Sequence, residues 1–189
     1  MPTTESPPGS DHVSRKLAQW ARALTRRRTS YPPNLSVVGR QCIAAICVHR
    51  FCAHYGIQHS AIEAFVEHLW GVATVTADSF TEWENGFATL PASLSKGPLP
   101  VELRAVIPAR LAADYSRLAE EAVECSASTW YGDNIPGTLE AFEAVLEIMA
   151  RHRIPLPPFE PFLASSPTVL QGWGSAPTPE ELRRWRSLA

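Results

Sequence analysis

Between Gln41 and His49 the chain holds seven consecutive non-polar residues, Cys42-Ile43-Ala44-Ala45-Ile46-Cys47-Val48. At about 3.6 residues per turn they cover nearly two helical turns with no polar position. A helix that is apolar all round has protein on every side. The pattern therefore predicts an all-α fold: a compact single-domain bundle of six or seven helices around a buried central helix, residues 36–55. Gly56 is a natural left-handed stop for that helix. The expected core is Ile43, Ile46, Cys47, Phe65, Leu69, Leu111, Leu118, Phe142 and Leu146.

The remaining helices follow from apolar stripes and their end signals. A first helix over about 12–28 is capped by Asp11 or Ser10 and carries Leu17, Trp20, Ala21 and Leu24 on one face. Ser60-Ala-Ile-Glu63 reads as a capping box opening a helix striped with Ile62, Phe65, Val66, Leu69 and Trp70. A short helix holding Phe80 and Trp83 follows Asp78. After the turn Gly97-Pro98-Leu99-Pro100 a helical pattern runs to about Ser126, and Pro108 kinks or divides it. Thr138 is the expected cap of a helix striped with Leu139, Phe142, Val145, Leu146 and Met149. Prolines make residues 154–163 an extended strap. Thr178-Pro-Glu-Glu181 opens a short C-terminal helix from about 179, with Leu182 and Trp185. Residues 1–10, rich in Pro and Ser, are expected to be a flexible tail, and 11–189 one helical domain.

Composition places the chain among globular proteins: 45% hydrophobic and 19% charged residues. No apolar run approaches the ~18 residues of a membrane helix, and residues 1–10, without a basic stretch followed by an apolar one, are not expected to act as a secretory signal. The net charge of −2 conceals an asymmetry. Residues 1–50 carry eight Lys/Arg against two acids, residues 51–150 four against fourteen, and residues 151–189 five against three. An acidic middle argues against nucleic acid and suits a basic protein partner.

The chemistry-bearing residues each have a plain structural reading. Cys42, Cys47 and Cys52 recur every fifth residue on one helix, about 140° apart, which is poor disulfide geometry. With Cys125 they read as buried thiols of a reducing, cytoplasmic compartment. His49 and Cys52 share a helix face, but Cys42 lies about 10 Å along the axis from His49, so no single ion joins them. His49 reads instead as a packed, hydrogen-bonded histidine. Neither a metal nor a cofactor is expected. No cysteine has a protease signature, and the common hydrolase, nucleotide and dinucleotide motifs are missing. Arg26-Arg27-Arg28 suits the end of a helix without invoking nucleic acid.

Two acidic groups remain: Glu120, Glu121 and Glu124 on the long helix, and Glu140, Glu143 and Glu147 on the next. Glu147 and Arg151 have favourable spacing for an ion pair along that helix. The carboxylates form a solvated face or a docking surface, and Trp173, set between two glycines, caps the core or anchors a partner. In size, acidic middle and want of a catalytic motif the chain resembles the all-helical immunity proteins of bacterial toxin systems. The likeness is one of general character and carries no residue across; the Ala, Arg and Pro usage suggests a bacterial source. The expectation is thus a non-enzymatic protein-binding protein, with Glu120, Glu121, Glu124, Glu140, Glu143, Glu147 and Trp173 facing its partner. The alternatives are a small-molecule hydrolase or transferase with a pocket between helices, and a homo-oligomer formed through an aromatic patch.

Overall fold

Ser36 begins the central helix because its hydroxyl accepts the Gly39 N–H at 3.0 Å, satisfying one of the free donors of the first turn. Helix α1 (Val37–Tyr55) ends at Gly56, which takes the left-handed conformation (φ 65°) at no side-chain cost. Every residue from Val37 to Val48 is buried, Arg40 and Gln41 included. The computed structural model describes residues 31–93, 98–130 and 135–189. The expected tail, the 12–28 helix with Trp20 and the arginine run lie outside the described residues, as do Gly97 and Tyr131–Asn134 of the two expected turns.

Among the described residues six further helices follow α1: α2 (Ser60–Trp70), α3 (Phe80–Phe87), α4 (Val101–Val106), α5 (Ala109–Ala127), α6 (Ile135–Arg151) and α7 (Pro179–Arg186). Among the described residues there is no strand. Helix α1 packs against α2, α5 and α6, and α5 and α6 form the most extensive pair. The all-α bundle around a buried central helix is therefore the observed architecture. All nine expected core residues are 3% exposed or less. Pro108 separates α4 from α5 and stands at the N-cap of α5.

Two expected caps differ. The cap of α2 is His59, whose Nδ1 accepts the Ala61 N–H at 3.1 Å, with Ser60 already helical. Helix α6 begins at Ile135, and Thr138 lies buried inside it, its hydroxyl donating to the Ile135 carbonyl at 2.8 Å. Both helices start a little before the residue with the stronger local signal. The capping box at Thr178 is formed in both directions with Glu181. The chain after α6 lies along the body through buried Ile154 and Phe162, with half-buried Leu156 and Phe159 between. From Glu160 it tightens into a 3₁₀ turn, so the extended stretch is shorter than the strap expected over 154–163. Trp185 of α7 locks it there, its indole N–H donating to the Pro161 carbonyl at 2.9 Å.

Candidate functional site

The acidic residues fall on the outward sides of the α5–α6 hairpin. On α5, Glu120 and Glu124 are exposed and Glu121 is half-buried. Burial raises the Glu121 pKa, and Arg117 at 3.6 Å opposes the rise, while Glu124 and Glu120 add to it. Glu124 accepts a hydrogen bond from Ser128 at 2.8 Å. These carboxylates occupy the C-terminal half of a helix whose last turn has no basic residue. Negative charge there opposes the helix dipole, a local cost of about 0.3–1 kcal/mol. On α6, Glu140 and Glu147 are exposed, and Glu143 is half-buried and accepts the Tyr31 hydroxyl at 3.2 Å. The expected Glu147–Arg151 pair does not form. Arg151 reaches across to α5 and binds Asp114 at 2.6 Å, because its place at the helix end lets it span the gap. Among the described residues Glu120, Glu140 and Glu147 make no ion pair.

Trp173 is half-buried, and its carbonyl accepts the Val38 N–H of α1 at 3.0 Å. Its ring lies 6.3 Å from Phe80, which in turn lies 6.2 Å from Trp130, just past the end of α5. Gly172 abuts Ile135, the first residue of α6. The tryptophan therefore sits at the end of the hairpin where α5 finishes and α6 starts. Two of the three large exposed apolar groups among the described residues are its neighbours in the chain, Val169 at 40% and Leu170 at 72% exposed; the third, Val101 at 70%, opens α4. Leu170 (φ 48°) and Gln171 (φ 54°) both hold left-handed backbone, which is unfavourable for residues with a side chain. Gln171-Gly-Trp-Gly174 reads as a turn in the sequence, but nothing there marks the exposure of the two residues before it. Val169 and Leu170 are two large apolar residues in a Ser/Pro/Thr-rich stretch, with no periodicity to place them.

A second polar cluster joins three helix ends. Asp114, early in α5, accepts from His152 Nε2 at 2.9 Å with one oxygen and from Arg151 with the other. His152 Nδ1 is 2.7 Å from the hydroxyl of Tyr55, the last residue of α1. Phe51 packs edge-on to the imidazole at 5.0 Å between ring centres. The Arg110 guanidinium lies 5.7 Å from the centre of the Tyr55 ring. Sequence reasoning missed this constellation because its members lie far apart in the chain and share no helix face. His49, where a packed histidine was expected, is exposed.

The four thiols are free and buried. Burial pushes Cys47 and Cys52 up to about 12 and Cys42 and Cys125 higher, so none is a thiolate near neutral pH. Among the described residues no three His, Cys, Asp or Glu side chains converge as a metal site, and no helix is long and apolar enough to cross a membrane. No protein-family model, curated protein or solved structure matches the chain.

Proposed function

We propose that this chain is a protein-binding protein whose partner is basic, docking at the end of the α5–α6 hairpin. The observation that carries the reading is the turn at Leu170: a large apolar side chain held 72% exposed on strained left-handed backbone. Strain of about 1–3 kcal/mol per residue persists only where the surroundings enforce it, and it clusters at binding and active sites. Half-buried Trp173, Phe80 and Trp130 stand behind the turn as a firm apolar base. Glu124 and Glu140 supply exposed negative charge nearest that end, and Glu120 and Glu147 extend it along the two helices away from it.

In this arrangement Leu170 is the anchor and the carboxylates steer the approach. Charge of this kind mainly raises the association rate and is screened by salt, whereas a buried apolar anchor governs dissociation. An immunity-type role, neutralising a bacterial toxin, is the specific form of the proposal, resting on size, acidity and all-helical build. The four free thiols support a reducing compartment, the cytoplasm.

The test separates the two contributions by kinetics against the captured partner. Glu140→Lys/Glu143→Lys/Glu147→Lys should slow association at low salt and lose that effect at high salt. Leu170→Ser should quicken dissociation by about tenfold or more, the equivalent of burying one large apolar side chain. Unchanged rates in both variants would remove the proposed surface.

A further inference from the structure

At the opposite end of the α5–α6 hairpin, the Tyr55–His152–Asp114 cluster has the parts of a nucleophilic site. We propose that Tyr55 is the nucleophile of a group-transfer site for phosphate esters, with His152 as its base and Asp114 as a positioning residue. This activity stands apart from the docking surface and does not depend on it.

The hydrogen-bond roles follow from what each atom can do. A carboxylate only accepts, so His152 Nε2 must carry a proton toward Asp114 at 2.9 Å. In the neutral imidazole that leaves the lone pair on Nδ1, which accepts the Tyr55 hydroxyl proton at 2.7 Å. Arg151 on the second Asp114 oxygen fixes the carboxylate. The imidazole side of the ion pair is only 12% exposed, so this geometry is held by packing as well as by hydrogen bonds. A hydroxyl bonded to a base that is itself oriented by a third group is the general form of an activated nucleophile.

One guanidinium, unpaired among the described residues, sets the substrate class. Arg110 is exposed, lies 5.7 Å from the Tyr55 ring centre and has no carboxylate partner among the described residues. The His54 ring stands 4.7 Å from the same ring. The acid of the cluster, Asp114, is already engaged by Arg151 and His152. Anionic phosphoryl oxygens suit such surroundings.

The step balances without a further reagent. The Tyr55 oxygen bonds to phosphorus as the bond from phosphorus to the ester oxygen breaks. The phenolic proton passes to His152 Nδ1 and then to the departing oxygen, which leaves as an alcohol. Water attacks the phosphotyrosine, giving a proton to His152, and the displaced Tyr55 oxygen recovers it. The sum is phosphate ester plus water giving alcohol plus phosphate.

The test uses benzenesulfonyl fluoride on the full chain, with mass mapping of the tyrosines. The Tyr55 oxygen would bond to sulfur, fluoride would leave, and the proton would go to His152. General-base assistance is worth about a hundredfold or more, so Tyr55 should label at least that much faster than free N-acetyltyrosinamide in the same solution. His152→Gln should remove the advantage. Asp114→Asn keeps size and hydrogen bonding, but its amide donates to Nε2 and reverses the tautomer. It should therefore slow labelling while the protein still melts cooperatively. Phenyl phosphate should protect Tyr55, and benzyl alcohol at the same concentration should not. Labelling of Tyr55 no faster than free N-acetyltyrosinamide, or an Asp114→Asn protein that labels like the parent, would overturn the nucleophile. Absence of protection by phenyl phosphate would overturn the substrate class.

Discussion

Ile46 has no solvent-facing side. It is fully buried at the middle of α1, among side chains that close-packing leaves little room to shift. Ile46→Ala should cost about 2–5 kcal/mol, the lost transfer energy plus the cavity left behind, read as a drop in urea midpoint with an unchanged slope. His68 gives a pH dependence of known sign. Burial lowers its pKa below the ordinary 6.5, with a smaller opposing effect from the Trp83 carbonyl at 2.7 Å. The unfolded chain therefore binds more protons than the folded one just below pH 6.5. The His68 contribution should be complete above that value and fade as the pH falls toward the folded pKa. Thermal melts between pH 5 and 7, a range bracketing the histidine transition, should fall less steeply for His68→Gln, whose amide still reaches the Trp83 carbonyl. Equal slopes would show that His68 is not the titrating group.

At the scale of elements, α2 and α3 are fastened by a reciprocal clasp. Trp83 donates its indole N–H to the His68 carbonyl at 2.9 Å, and the His68 ring bonds back to the Trp83 carbonyl. Gly86 lies directly under the His68 ring, where an added Cβ would collide with it. Ala would gain about 1 kcal/mol of helix propensity over Gly, but overpacking against a hydrogen-bonded ring costs about 1–3 kcal/mol. Gly86→Ala should thus be neutral to destabilising in a urea titration, whereas an unobstructed helical glycine would give a stabilised variant. Such packing was not legible beforehand. The helix of Phe80 and Trp83 could be read from its apolar pair, but the glycine's purpose appears only once α2 lies beside it. Thr138 and Ser60 also differ from their local signals: the His59 imidazole caps α2 one residue earlier, and Thr138 bonds back to the Ile135 carbonyl inside α6. Thr178 caps its helix as written, its box closed in both directions.

At the scale of the whole molecule, the apolar run at 42–48 was enough to specify a central helix because solid non-polar character has one outcome in a helical bundle. It did not reveal that burial starts at Val37 and takes in Arg40 and Gln41. Gln41 is accommodated by donating to the Ala122 carbonyl at 2.7 Å, and burial lowers the Arg40 pKa. Polar residues carry no periodic signal of burial, so only their neighbours disclose it. The acidic rows were legible as helical spacing. Their outcome differs by residue, with Glu121 and Glu143 drawn half into the surface and Glu120, Glu140 and Glu147 left exposed. Leu170 was illegible because its exposure comes from a turn shape, not from a pattern.

The docking surface is tested most directly by comparative capture. The parent chain, Leu170→Ser and the Glu140/Glu143/Glu147 reversal are immobilised in parallel, exposed to extract of the source cells, and their bound proteins quantified by mass spectrometry. A basic protein should be enriched stoichiometrically on the parent and reduced on both variants. Leu170→Ser should melt like the parent because an exposed side chain contributes little to stability, and the reversal, which removes the Tyr31–Glu143 hydrogen bond, should still melt cooperatively. Enrichment indifferent to both substitutions, or no stoichiometric partner at all, would contradict the account.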